Sequence, residues 1–296
     1  MDECSEIDGI RESVATLLAR TRDGGPRASD QVYLTDRVYT VVHTRQDGDL
    51  SAFPSNRGEL AALAADARSL LADLRIVRDG FRVVSRAGGS MLVRCPDGVE
   101  LSVPAAEVLP GHRGLVGLSL SGIAYPVHSQ WIHWAAGFDG VAELDARVYV
   151  NARVGSAVRV WCTLVRQLAH GPVPFTSKVG GSRQMLRRAD SIVVYVRSSD
   201  VPSVLDLVGA SGMACDLDEP VPGFSRRLGP GTGVALVPDD IDMAGGSVGY
   251  HWARRLVRAW CEGGDEATEP VYEALSASWS RLDRLIRRAE PAELRG

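Results

Sequence analysis

The hydrophobic pattern switches several times between a helical period and a strand period, and the switch points mark out the elements. Residues 7–19 place apolar side chains at helical spacing, and a Gly-, Pro- and Asp-containing loop follows over 22–29. A tyrosine-bearing segment, Tyr33-Leu34-Thr35-Asp36-Arg37-Val38-Tyr39, lies within 32–42, and residues 47–57 read as loop. Residues 59–74, rich in Ala and Leu, predict a helix. The period then shortens. Phe81-Arg82-Val83-Val84, Ser90-Met91-Leu92-Val93-Arg94 and Val99-Glu100-Leu101-Ser102-Val103 predict short strands, with Gly88-Gly89 and Pro96-Asp97-Gly98 as the turns between them. Residues 109–140, dense in Gly, Pro and aromatic residues, give no regular period. From 145 onward the pattern is clearer: strands over 147–151, 174–179, 191–196 and 233–237, and helices over 156–169, 201–209, 249–260 and 269–288. Ser191-Ile192-Val193-Val194-Tyr195-Val196 is almost continuously apolar, which predicts a central strand.

These elements predict an α+β fold: a central mixed, largely antiparallel sheet flanked by helices, with an N-terminal helical and β-hairpin region. The division falls near 140, within the weakly patterned 105–145 stretch. It separates an N-terminal region (1–140), suited to peptide or kinase binding, from a C-terminal region (141–296); the alternative is one continuous domain. No internal repeat interrupts the chain.

Composition narrows the class. The 296 residues are 45% hydrophobic and 24% charged, with a net charge of −4, as expected of a globular protein without a bulk affinity for nucleic acid. No apolar run approaches the ~18 residues of a membrane span, and the acidic start, Met1-Asp2-Glu3-Cys4-Ser5-Glu6, lacks the regions of a signal peptide. The five cysteines are scattered and form no Cys-x-x-Cys pair, which predicts reduced thiols in a cytoplasmic protein.

One count changes the picture. Of 33 basic residues only Lys178 is lysine. Codon bias in a GC-rich genome accounts for the arginine excess, but not for a lone lysine between Phe175 and Val179 in a strand-like run. Arginine stays charged and can bind anions, whereas lysine can lose its proton and act as a base. Any base chemistry through a side-chain amine therefore falls to Lys178.

No phosphate-binding loop, dinucleotide fingerprint, nucleophile elbow or His-Glu-x-x-His is present. The histidines are dispersed; His128 and His133 lack an obvious third ligand, which favours structural roles. His251 opens a helix after the flexible Gly245-Gly246-Ser247-Val248-Gly249-Tyr250, and Arg254, Arg255 and Arg258 follow on adjoining turns. A helix start with that cationic face suits phosphate; a solvated basic face fits the same spacing. Arg187-Arg188, leading into the apolar strand at Ser191, and Arg226-Arg227 are either phosphate-gripping forks or surface arginines.

The order of these segments resembles the HopA-type effector domain family, whose members include stand-alone lyases of class V lanthipeptide and thioamitide biosynthesis. The matching run starts at Arg147-Val148-Tyr149-Val150-Asn151. It continues through Val173-Pro174-Phe175-Thr176-Ser177-Lys178-Val179, Arg188-Ala189-Asp190-Ser191-Ile192-Val193-Val194-Tyr195-Val196 and Pro222-Gly223-Phe224-Ser225-Arg226-Arg227-Leu228-Gly229-Pro230-Gly231-Thr232-Gly233. It ends at Ser247-Val248-Gly249-Tyr250-His251. The Cys95-Pro96-Asp97-Gly98 hairpin resembles the family less distinctively. Two departures stand near the histidine: Val248 replaces the family's Phe, and Trp252 replaces its Arg.

The resemblance implies a phosphoserine/phosphothreonine lyase acting on a ribosomal precursor peptide that a separate kinase-like protein has phosphorylated. It needs no cofactor or metal, nucleic acid or membrane. Residues 141–296 would be the catalytic region, with Lys178 as base and His251 as acid. Arg188, Arg226 and Arg227 would bind phosphate, together with Arg254 or Arg255 in place of the arginine lost at 252. Tyr195 and Asn151 either line the site or serve the fold. Lysine starts near a pKa of ~10.4, so its surroundings must lower that value for the free amine to act near neutrality. The alternatives are a non-catalytic leader-binding or kinase-scaffolding subunit and a host-interacting effector.

Overall fold

The computed structural model describes residues 3–22, 31–46, 57–95, 98, 100–124, 130–134, 144–210, 212–241 and 247–289. Three helices come first: α1 (Glu3–Arg22), α2 (Gln31–Val38), which runs on into a π-helical turn over Tyr39–His43, and α3 (Arg57–Leu70). Seven strands follow: β1 (Arg75–Ala87), β2 (Ser90–Arg94), β3 (Glu100–Pro104), β4 (Val108–Pro110), β5 (Val116–Ser121), β6 (Ile123–Ala124) and β7 (Trp131–Trp134). The remainder alternates: β8 (Ala146–Val150), α4 (Ala157–Ala169), β9 (Thr176–Gly180), α5 (Arg183–Leu186), β10 (Ile192–Val196), α6 (Val201–Ala210), β11 (Arg226–Gly229), β12 (Thr232–Leu236), α7 (Val248–Gly263) and α8 (Glu269–Ala289). The sequence-predicted loops at 22–29 and 47–57 lie almost wholly outside the described residues, as do His128 and most of the Pro96-Asp97-Gly98 turn.

The strands form two sheets, β3-β2-β1-β5-β4 and β11-β12-β8-β10-β9-β7-β6. Every pairing between named strands is antiparallel. The small sheet turns at Gly88 and Gly89, whose φ angles of 56° and 82° suit glycine. It closes over Phe81, Val93, Val103 and Leu118. The stretch from 109 to 140, where periodicity predicts nothing, holds β5, β6 and β7 and most of β4 among the described residues. They are too short, and too rich in Ser, Gly, His and Trp, to show a period. β6 and β7 join the edge of the large sheet beside β9, so residues before 140 complete a sheet that otherwise begins at 146.

Both faces of the large sheet are covered. Val148, Val150, Val179, Ile192, Val194 and Val234 face α3, α4 and α6 in one core cluster. Tyr149, Val193 and Ala235 face α1, α2, α7 and α8 in another. Burial on both faces explains the near-continuous apolar runs of β8 and β10. α4 and α7 are amphipathic, and their apolar stripes carry Trp161, Leu164 and Leu168 and Trp252, Leu256 and Trp260 into these cores.

Candidate functional site

Strand alternation fixes where Lys178 points. Its neighbours Ser177 and Val179 face α4, where the Trp161 indole donates to Ser177 Oγ at 2.9 Å. Lys178 therefore faces the other side, opposite Val193 on β10 and His133 on β7. It is half-buried. Its Nζ lies 4.2 Å from the centroid of the Trp131 ring and 5.7 Å from that of Tyr195. No carboxylate among the described residues forms a salt bridge with it.

Arg188 reaches the same place from the β9–β10 connection. Ser182 caps α5 by accepting from the Met185 N–H at 3.2 Å, and Gly180 gives α5 room: a Cβ there would press on Met185. The turn ends with Arg188 buried against Asp190. Nε donates to Oδ1 at 2.7 Å and Nη2 to Oδ2 at 2.8 Å, and Nη2 also donates to the Tyr39 hydroxyl at 2.7 Å. The guanidinium lies 5.4 Å from the Trp131 ring and 5.5 Å from Tyr39. Arg147, buried on β8, sits 5.2 Å from the Tyr195 ring. Cations and rings thus alternate: Arg147, Tyr195, Lys178, Trp131, Arg188, Tyr39.

The stack continues into His43. Its ring lies 5.3 Å from Tyr39 and 5.8 Å from Phe224, stacked on both, and edge-on to Tyr149 at 5.5 Å. His43 is fully buried, and neither ring nitrogen has a hydrogen-bond partner among the described residues. Gly249 on α7 packs against it so closely that an added Cβ would overlap the imidazole.

Burial and charge set the ionisation here. Burial drives the His43 pKa down to about 3; Asp190 opposes this, and Arg188, Arg45 and Arg147 add to it. Burial lifts Tyr39 to about 12, with Asp190 contributing. Burial works against the charge of Asp190, but Arg188 more than compensates and holds the carboxyl below the usual range. Burial and the Lys178 ammonium lower His133 to about 4. The cluster therefore keeps Asp190 and Arg188 ionised and both histidines neutral at neutral pH.

The other sequence candidates lie elsewhere. His251 is buried one residue along from Tyr250, whose ring touches Tyr39 edge-on at 5.7 Å. Its own Nε2 faces Asp240 Oδ1 at 3.3 Å, out of hydrogen-bond alignment, and no contact joins it to Lys178 among the described residues. Burial lowers its pKa, Asp240 opposes, and Arg255 and Arg254 reinforce the lowering. Arg255 lies over the Trp252 ring at 5.1 Å, with Nη1 3.7 Å from Asp240 Oδ2, and Arg254 is exposed. Arg227 stands four strands from Lys178 along the row Val193, Tyr149, Gly233, about 19 Å at ~4.8 Å per strand, and pairs with Glu219. Arg226 points the opposite way and is held by Glu6 at 2.8 Å and Asp283 at 3.5 Å. Asn151 serves the fold: its Nδ2 donates to the Pro220 carbonyl at 2.9 Å, and its carbonyl accepts from Asp218. Tyr195 lines the cluster.

The structure thus brings Lys178, Arg188 and Tyr195 together, and adds Trp131, Tyr39, His43, Asp190 and Arg147. Asp190 lies in the Arg188-Ala189-Asp190 segment and is legible as its ion-pair partner. The rings come from distant segments and carry no local signal. Among the described residues no cluster of three metal-ligating side chains occurs, and no helix is long and apolar enough to cross a membrane.

Two solved structures are similar to the chain. The effector protein from Pseudomonas syringae pv. tomato strain DC3000 has 10% sequence identity and a TM-score of 0.46, over 92% of this chain and 95% of that one. The effector protein from Pseudomonas syringae pv. syringae strain 61 has 13% identity and a TM-score of 0.43, over 87% and 88%. No curated protein matches. The family model described as the HopA1 effector protein family matches residues 137–286, which is half the chain and takes in β8 to β12 with Lys178, Arg188 and His251. The chain therefore belongs to the HopA1 effector protein family.

Proposed function

We propose that this protein eliminates phosphate from phosphoserine or phosphothreonine in a peptide, leaving dehydroalanine or dehydrobutyrine. The observation that carries the reading is the setting of Lys178. The one lysine of the chain holds its amine against ring faces, beside the anchored Arg188, with no carboxylate hydrogen-bonded to it. A base must be within reach and not tied up in a salt bridge. Lys178 takes the α-proton. The electron pair released forms the Cα–Cβ double bond, the Cβ–O bond breaks, and phosphate departs with that oxygen.

The surrounding charge suits an anionic substrate. Asp190 offsets the charge of Arg188, and Lys178 and Arg147 add further cations to the cluster. Resemblance to the family's lyases assigns the leaving-group proton to His251. The first turn of α7, which carries it, borders the cluster through Tyr250 and Gly249. The substrate would be a ribosomal precursor peptide phosphorylated by a separate kinase-like protein. Incubating a phosphoserine peptide with the protein and following its mass tests the reading. Loss of phosphoric acid that disappears in Lys178→Ala is expected; loss that survives the substitution removes Lys178 as base, and no loss even with the kinase partner present removes the lyase.

A further inference from the structure

A cavity of about 260 Å³ opens at Arg45, two residues beyond His43. Ile10, Val221, Gly223 and Trp279 contribute to its apolar part and Arg45 to its cationic part; Arg227 also lines it but pairs with Glu219. Glu6 also lines it but is engaged by Arg226 at 2.8 Å. Two features lack an explanation within the fold. The indole N–H of Trp279 is buried with no acceptor among the described residues. Arg45 holds a φ of 58°, a left-handed conformation that disfavours a non-glycine residue. Its Nε donates to the Val221 carbonyl at 3.4 Å, which keeps the guanidinium at the cavity. Arg45 is exposed to solvent, and no carboxylate among the described residues forms a salt bridge with it.

The geometry points to a docking site for an acidic segment of a peptide, with a carboxylate on Arg45 and an adjacent apolar side chain over Trp279. The volume suits one or two side chains rather than a whole cofactor. An extended partner is favoured because Arg227 belongs to β11, the terminal strand of the large sheet, whose outer edge has no neighbouring strand among the described residues. The 39–45 segment links this pocket to the cluster. Tyr39 and His43 face Arg188 and its neighbours, Arg45 faces the pocket, and the His43 carbonyl accepts from the Gly223 N–H at 3.3 Å. Identifying the docked peptide with the lyase's substrate rests on the function proposed above; the docking itself does not.

The test uses the full chain and a fluorescently labelled peptide of alternating leucine and glutamate, compared with its glutamine counterpart. Binding of the glutamate peptide at least tenfold tighter is expected. Arg45→Gly should weaken it at least tenfold without lowering the melting temperature, because glycine relieves the backbone at this φ. Lys178→Ala should leave binding intact, which separates failure of this site from failure of the lyase. Equal binding of the two peptides, no binding, or binding indifferent to Arg45→Gly overturns the proposal. So does displacement by free glutamate at the peptide's own concentration, which would mark a small-carboxylate site.

Discussion

Arg188 and Asp190, two residues apart in the chain, face each other as a two-pronged ion pair in the core, with side chains 7% and 5% exposed. Such a pair gains little over well-packed apolar residues, yet breaking it strands a buried charge. Asp190→Asn should therefore cost about 3–5 kcal/mol in denaturant unfolding. The pair also sets an acid limit. Arg188 depresses the folded-state pKa of Asp190 below the unfolded ~3.9, so its contribution is complete above that pH and is lost as pH falls through the folded value. An Asp190→Asn variant whose stability deficit is the same at pH 7 and pH 2 would contradict this.

His43 predicts a second, higher pH dependence. Its folded pKa of about 3 lies below the unfolded ~6.5, so the unfolded chain takes the proton first. Its contribution is complete above ~6.5 and is lost as pH falls toward 3, at up to about 1.4 kcal/mol per pH unit. His133, at about 4, acts in the same direction, so the two must be replaced separately. His43→Phe keeps the stack on Tyr39 and Phe224 and removes the titration. Its stability should vary less with pH between 6.5 and 4 than that of the wild type; equal slopes would mean that His43 does not titrate there.

Gly249→Ala should destabilise the protein by about 1–3 kcal/mol, because the new methyl overlaps the His43 ring where neither side can retreat. His43→Ala opens that space. In a double-mutant cycle the two changes should cost less together than the sum of their separate effects; strict additivity would show that the contact carries no energy.

Much of this architecture is legible in the sequence, and what is hidden has physical causes. β8, β10 and β12 announce themselves because a strand buried on both faces is largely apolar. β11 does not, since Arg226-Arg227-Leu228-Gly229 at a sheet edge looks like a turn. The start of α7 is signalled by Ser247, which accepts from the Tyr250 N–H at 3.4 Å. What the spacing to Arg254 and Arg258 does not reveal is that His251 is buried while those arginines are exposed, with its Nε2 turned toward Asp240. Lys178 stands out by composition alone. Tyr39 meets Arg188 across 149 residues, and no local pattern encodes such a contact.

Lys178→Arg separates base chemistry from packing. Arginine keeps the positive charge and can rest on the rings of Trp131 and Tyr195 as lysine does, but it cannot be deprotonated. If Lys178 only binds phosphate or braces the rings, Lys178→Arg should retain most of the elimination activity. If it removes the α-proton, Lys178→Arg should fail nearly as completely as Lys178→Ala, with a loss on the order of 10²–10⁴-fold in kcat. Peptide binding should persist in both variants, so the defect should lie in kcat rather than KM. The expected result is loss in both. Near wild-type turnover in Lys178→Arg would remove the amine from the mechanism and leave the cluster a binding site.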